Sequence, residues 1–249
     1  MAGQVLVDGK TVDKPGSPVA PGAAFSLKGE ICPYVSRGGL KLAKALDEFG
    51  LNMAGRVVVD IGASTGGFTD CALKHGARKV FAIDVGYGQL AWKLRQDPRV
   101  VPLERVNARH LSPDDLGEPV DFATVDVSFI SLGKIFPALR RVLKVDGEVV
   151  SLIKPQFEAG REKVGKRGVV REPGIHREVI ARVIAEAAVN RFAVKGLGFS
   201  PITGPEGNIE YLLWLGPAIG GAAPFDELPN IARVVAEAHH TLESRSGKS

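Results

Sequence analysis

The sequence predicts an α/β fold: a doubly wound, mostly parallel sheet of seven strands with helices on both faces, an antiparallel last strand, and a small segment ahead of it. Three observations carry that expectation. From residue 36 onward, short apolar runs alternate with stretches whose apolar residues recur at helical spacing. A glycine-rich turn follows the first of those runs, at residues 62–67. Only residues 200–208 separate the last two runs, too few for a crossover helix, so that pair forms an antiparallel hairpin at one end of the sheet.

Taken in order, residues 4–12 hold short apolar stretches around Asp8-Gly9, a hairpin signal. A Pro/Gly-rich stretch covers 14–22, and 25–28 reads as one more short strand. This part is too small to bury its own core and is expected to lean on a neighbour. Leu40, Leu42, Ala43, Leu46 and Phe49 mark a helix that Gly50 ends. Strands are expected at 56–61, 79–83, 100–103, 121–125, 148–153, 194–199 and 209–215. Helices are expected at 66–75, 89–95, 132–143, 175–191 (opened by Pro173-Gly174) and 227–242. Residues 156–171 read as a polar stretch and 243–249 as a polar tail.

Composition narrows the class. With 249 residues, 45% hydrophobic and 24% charged, the chain can build one large core without a disulfide or metal staple. Cys32 and Cys71 form no CxxC pair, so they read as packed thiols in a reducing cytoplasm, and no metal site is expected. No apolar run approaches the roughly 18 residues of a membrane span. Residues 1–10 lack a signal-peptide layout, so a cytoplasmic protein without a membrane partner is expected. The net charge of +4 hints at an anionic partner.

The chemistry begins at Asp60-Ile-Gly62-Ala63-Ser64-Thr-Gly66-Gly67-Phe68, where a buried strand runs through a glycine turn into a helix. A dinucleotide site needs GxGxxG so that backbone can approach a pyrophosphate, and here Ser64 holds the middle position. S-adenosylmethionine has no phosphate and carries an amine, which suits an acidic strand end. The pattern therefore favours S-adenosylmethionine, bound by Asp60, Gly62, Ala63, Ser64, Gly66, Gly67 and Phe68, with Asp84 at the next strand end on the ribose hydroxyls. Asn107 falls where adenine contacts are expected, or caps the turn before Leu111.

Doubly wound sheets bind ligands at the carboxyl ends of their strands. Asp126 and Lys154 end two of them, Glu210 begins the antiparallel one at the same edge, and Lys41 reaches over from the preceding helix. A lysine directly after a buried run is partly desolvated, and such an amine can accept a proton while carboxylates orient it. Each residue alone reads as a surface charge or salt bridge; four converging beside a cofactor loop point to catalysis.

With these pieces in place, the chain resembles the TlyA family, hemolysin-A-like ribosomal RNA 2′-O-methyltransferases of the FtsJ-like class. The resemblance rests on Val35-Ser-Arg-Gly-Gly-Leu-Lys41-Leu, residues 60–69, Asp126-Val-Ser-Phe-Ile-Ser131, Lys154-Pro-Gln-Phe-Glu158 and Gly207-Asn-Ile-Glu210, and covers 35 to about 216. It implies a methyltransferase domain at 35–249 and a Lys41, Asp126, Lys154, Glu210 tetrad with Lys154 as general base. It also implies ribosomal RNA or ribosomal subunits as partner. Family members begin with a complete S4-like RNA-binding domain, whereas residues 1–34 resemble its second half alone; a misplaced start and a naturally shorter chain both fit. RNA affinity carried by that domain is expected to suffer.

Three rivals remain. A pore-forming hemolysin would need a spanning helix or lipid-facing alternation, and neither is legible. An amino-group methyltransferase is suggested by Asp126-Val-Ser-Phe129, but that reading leaves Lys41, Lys154 and Glu210 idle. A non-catalytic RNA-binding module would fail to bind S-adenosylmethionine. Phe129 itself reads as core in preference to a base-stacking residue. Arg161, Lys163, Lys166, Arg167 and Arg171, interleaved with glycines, are expected to contact RNA phosphates.

Overall fold

The computed structural model describes residues 5–12, 14, 16–27, 32–218 and 230–246. The chain divides into two compact units, Met1–Pro33 and Tyr34–Ser249.

The first unit is a three-stranded antiparallel sheet of β1 (Val5–Val7), β2 (Lys10–Thr11) and β3 (Phe25–Leu27), in the order β2-β1-β3. Asp8 and Gly9 turn the hairpin with φ of 49° and 78°, the left-handed pair that a tight right-twisted hairpin demands. The Asp8 carboxylate accepts from the Ala24 amide (2.9 Å), tying the third strand to the turn. Gln4 and Lys28, the outer ends of the expected strands, lie outside the described residues.

The second unit holds α1 (Gly38–Glu48), β4 (Val57–Ile61), α2 (Gly67–Lys74), β5 (Lys79–Asp84), α3 (Trp92–Arg95), β6 (Val100–Glu104), α4 (Pro113–Leu116), β7 (Val120–Val125) and α5 (Phe136–Val142). There follow β8 (Leu143–Ile153), α6 (Pro155–Glu158), α7 (Pro173–Val189), β9 (Phe192–Phe199), β10 (Tyr211–Pro217) and α8 (Ile231–Ser246). Seven strands form one sheet in the order β6-β5-β4-β7-β8-β10-β9. The pairs from β6 to β8 are parallel; β10 is antiparallel to both β8 and β9.

Side chains alternate across β4 and so sort into two cores. Val57, Val59 and Ile61 pack with residues of α5, α7 and α8. Val58 packs on the opposite face with Leu42, Leu46, Phe68 and Cys71 of α1 and α2. Asp60 shares that second face by parity, a point that decides its role below.

Several elements differ from expectation, the larger departures being these. The helix expected at 132–143 is a 3₁₀ turn, Leu132–Lys134, followed by α5, because Pro137 has no amide to donate and fits only a first turn. The following strand starts at Leu143, which pairs with Val120 across a register shift. The sequence reading passed over α4, although Ser112 and Asp115 form a capping box around Pro113. The last helix runs on to Ser246 where a polar tail was expected, since no helix breaker precedes Gly247; residues 227–229 and 247–249 lie outside the described residues.

Candidate active site

Two adjoining cavities open over the carboxyl ends of β4, β5 and β7, of about 380 and 350 Å³. They share Gly62, Ser64, Asp126 and Ser128 as a common wall.

The loop after β4 owes its shape to close approaches. Gly62 has φ +83°, and a Cβ there would lie 2.4 Å from the Asp126 carbonyl oxygen, so only glycine lets the β4 and β7 ends lie side by side. A Cβ on Gly67 would lie 2.8 Å from the Gly39 amide nitrogen. Its absence lets α2 start against α1, which carries Lys41. The amides of Gly62 and Ala63 both donate to the Ile83 carbonyl (2.9 and 3.0 Å), fixing the loop to β5.

Asp84 completes that fixing. Its Oδ2 accepts from the Ser64 amide (2.8 Å) and its Oδ1 from the Gly86 amide (2.7 Å). Each oxygen keeps a lone pair, and Asp84 lines the second cavity beside Gln89 and Asn107. Asn107 lines that cavity, and its Oδ1 accepts from the Arg109 amide (3.2 Å), capping a 3₁₀ turn as the second of its two expected roles requires. Ala63, Ser64, Gly67 and Phe68 line the first cavity.

Asp60 is placed differently from the expectation that it meets a cofactor amine. Its carboxylate, 1% exposed, faces α2 and accepts from the hydroxyls of Thr69 (2.6 Å) and Thr124 (2.9 Å). Neither cavity includes Asp60 or Gly66 in its lining. Burial pushes the Asp60 carboxyl up to about 6, with the two hydroxyls pulling partly back and the charge of Asp126 adding to the rise.

Lys41, Asp126, Lys154 and Glu210 meet in the first cavity. Lys154 Nζ lies 2.5 Å from Asp126 Oδ1, Lys41 Nζ lies 3.7 Å from Asp126 Oδ2, and Lys41 Nζ donates to Glu210 Oε2 at 2.6 Å. The four thus form a chain of alternating charge, with Asp126 holding both lysines. Tyr211 pairs with Ile153 across β10 and β8, which sets Glu210 and Lys154 at one edge of adjacent strands. Lys41 and Lys154 are buried, and Glu210 is 2% exposed. Burial alone would lower the Lys41 pKa; the carboxylates of Asp126 and Glu210 outweigh it and hold the amine above the usual lysine value.

Several neighbours were not anticipated. Ser128 Oγ accepts from Lys154 Nζ (3.2 Å), and residues 202–205 form the outer wall of the first cavity. Buried Glu158 accepts from the Leu132 amide (2.8 Å), joining the segment after Lys154 to the one after Asp126; burial raises its carboxyl. Phe129 overturns the reading of it as core. It is 90% exposed with φ 65°, tilted against Phe157 at 4.8 Å between ring centroids. A left-handed residue turns the ring outward where the local sequence suggests burial.

The basic segment forms two 3₁₀ turns, Arg161–Lys163 and Lys166–Gly168. Lys163 is paired with Glu178 (2.6 Å), whereas Arg161, Lys166, Arg167 and Arg171 are exposed and form no ion pair among the described residues.

Comparison with known proteins gives a consistent result. Residues 34–217 match the FtsJ-like methyltransferase family. A Bacillus subtilis protein provisionally named rRNA methyltransferase YqxC is 52% identical over 98% of this chain and 88% of its own. The 16S/23S rRNA (cytidine-2′-O)-methyltransferase TlyA of Mycobacterium tuberculosis is 46% identical over 86% of this chain and 80% of its own. A solved structure from Streptococcus thermophilus, provisionally named a hemolysin, superposes with a TM-score of 0.87 at 49% identity, covering 99% of this chain and 90% of that one. Among the described residues, no helix is long and apolar enough to cross a membrane.

Proposed function

Because the chain belongs to the FtsJ-like methyltransferases, enzymes that use S-adenosylmethionine, we propose that it methylates a ribose 2′-hydroxyl of ribosomal RNA, with Lys154 as general base. The observation that carries this reading is the buried Lys154–Asp126–Lys41–Glu210 chain in a cavity that shares its wall with the glycine loop. The names of the similar proteins support ribosomal RNA as the substrate and cytidine as the nucleoside. A ribosomal substrate would place the enzyme's work in the cytoplasm.

The residues fit the cofactor. Asp84 offers two carboxylate oxygens with lone pairs left over, suited to a vicinal ribose diol, and Gly62 leaves the shared wall free of a side chain. S-adenosylmethionine supplies an electrophilic methyl group on a sulfonium. The protein's task is then to hold the 2′-oxygen in line and remove its proton as the O–C bond forms and the S–C bond breaks. In its neutral amine form Lys154 Nζ takes that proton and becomes an ammonium paired with Asp126. Asp126 and Ser128 keep the amine aimed into the cavity. Lys41, held as an ammonium by Glu210 and Asp126, places a fixed positive charge beside the oxygen as it becomes negative. Exposed Phe129 lies on the rim, where an unstacked base can rest on it, and the four exposed cations of 161–171 offer phosphate contacts.

The experiment is to incubate the enzyme with ribosomal subunits and methyl-labelled S-adenosylmethionine and to locate the label. Label on a ribose 2′-oxygen is expected; label on a base would refute the reading in favour of amino-group or carbon methylation.

A further inference from the structure

In Gly207-Asn208-Ile209-Glu210 the mechanism uses only the last residue, yet Asn208 is 4% exposed and fully engaged. Its Nδ2 donates to the Gly168 carbonyl (2.9 Å) and its Oδ1 accepts from the Val170 amide (3.1 Å). Its own carbonyl accepts from the Gly204 amide (2.9 Å), and Gly204 lines the reaction cavity with Glu210. His176 of α7 adds a second tie. Its Nε2 donates to the Val170 carbonyl (3.0 Å), because a carbonyl can only accept, and its Nδ1 is hydrogen-bonded to the Tyr211 hydroxyl (2.7 Å). The residue two before Glu210 and the residue one after it therefore both anchor the stretch 168–170.

That stretch ends the basic segment. Val169 and Val170 are buried, and on either side Arg167 and Arg171 are exposed without ion pairs among the described residues. Arg167 and Gly168 are consecutive left-handed residues, φ 65° and 72°. A non-glycine residue persists there only where its surroundings fix it, and the Asn208 bond to Gly168 is such a fixture. The chemistry also demands a carboxamide. Bridging a C=O and an N–H two residues apart takes a donor and an acceptor on one short planar group. A carboxylate would set charge against the Gly168 carbonyl, and an alkyl group would leave both partners unmet.

We propose that Asn208 is a positioning residue for RNA: it fastens the cationic segment 161–171 to the strand edge bearing Glu210, so that RNA phosphates and the target ribose dock in one register. The proposal rests on the RNA-methylating reading above. The link is mechanical and local, and does not require Asn208 to touch substrate.

The test compares the wild-type enzyme with Asn208→Ala and with Asn208→Asp, which keeps the shape should the alanine variant fail to fold. Amide hydrogen exchange at Val170 should speed at least tenfold in Asn208→Ala, because its side-chain acceptor is lost; Asn208→Asp keeps that acceptor and loses the donor to the Gly168 carbonyl, so there KM is the readout. KM for ribosomal subunits should rise roughly tenfold and its salt dependence should flatten. The rate at saturating RNA should stay within about twofold, as should the dissociation constant for S-adenosylmethionine measured by calorimetry. Changing Arg161, Lys166, Arg167 and Arg171 to Gln should raise KM similarly, and adding Asn208→Ala to that variant should change little more, the non-additivity expected of one unit. Unchanged Val170 exchange in Asn208→Ala, or an unchanged KM in Asn208→Asp, would overturn the clamp. Faster exchange with an unchanged KM would reduce it to a structural tie, and a lower saturating rate with an unchanged KM would assign Asn208 to Glu210 instead. If the wild-type enzyme methylates no ribose in RNA, the functional reading itself falls, an outcome distinct from a clamp that fails in an active enzyme.

Discussion

Asp60→Asn tests the assignment of that carboxylate to the fold. The side chain is buried against Thr69 and Thr124, and its pKa rises from the ordinary 3.8 to about 6, burial being the largest cause. For an acid whose folded pKa is raised, stability is complete below the unfolded value and drains away as pH climbs through the folded one. The rise corresponds to about 3 kcal/mol lost between pH 4 and pH 7, at 1.36 kcal/mol per unit. An asparagine has the same shape, carries no charge, and keeps both contacts because a threonine hydroxyl can donate or accept. The variant should therefore be more stable than wild type at pH 8 by about 1 to 3 kcal/mol, the lower figure allowing for weaker hydrogen bonds to a neutral acceptor. The gap should close as pH falls toward 4.5. Urea unfolding followed by tryptophan fluorescence at a series of pH values measures it. A variant less stable than wild type at pH 8, with a gap that ignores pH, would show that the charged hydrogen bonds outweigh the burial and that the argument is wrong.

Lys154→Arg should lower the single-turnover rate at least about a hundredfold while S-adenosylmethionine and RNA still bind, because a guanidinium cannot accept the proton; substantial turnover by the variant would remove Lys154 as base. Asp84→Ala should weaken S-adenosylmethionine roughly tenfold or more in calorimetry, since the loop amides of Ser64 and Gly86 lose their acceptor together with the proposed ribose contact. Phe129→Ala should leave stability within about 0.5 kcal/mol, given its 90% exposure, and raise KM for RNA by roughly fivefold to a hundredfold if a base stacks there; an unchanged KM would leave the ring without a substrate role.

The mostly parallel sheet, its reversed last strand and the meeting of Lys41, Asp126, Lys154 and Glu210 at one edge were legible because each rests on local signals: apolar runs alternating with helical spacing, a connection too short for a helix, and charges at the ends of buried runs. Lys154 after Val149–Ile153 is the clearest, since such a run has one wet end and the lysine occupies it. The burial of the Asp60 carboxylate against α2 is written in its parity with Val58, but the two threonines that hold it lie 9 and 64 residues away, outside any local pattern. Phe129 was misread because a single left-handed residue leaves no periodic trace. Lys163 was grouped with the exposed cations, and only the fold shows Glu178 beside it. Asn208 stood inside a quoted motif, but its partners lie 38 and 40 residues upstream, beyond the reach of any local pattern.

The place of β10 has a consequence for how the chain can lengthen or shorten. It is an interior strand, paired with β8 from Tyr211↔Ile153 to Leu215↔Val149 and with β9 on its other side. One residue added or removed near Leu212 would slide Glu210 by about 3.4 Å along Lys154 and turn alternate side chains to the wrong face. The irregularity at Trp214/Leu215 lies on the β9 side, so slack already present there does not disturb the spacing of Glu210 from Lys154. Length variation should therefore collect in β9 and the outer connections, while the five paired positions joining β10 to β8 behave as a fixed ruler between Glu210 and Lys154.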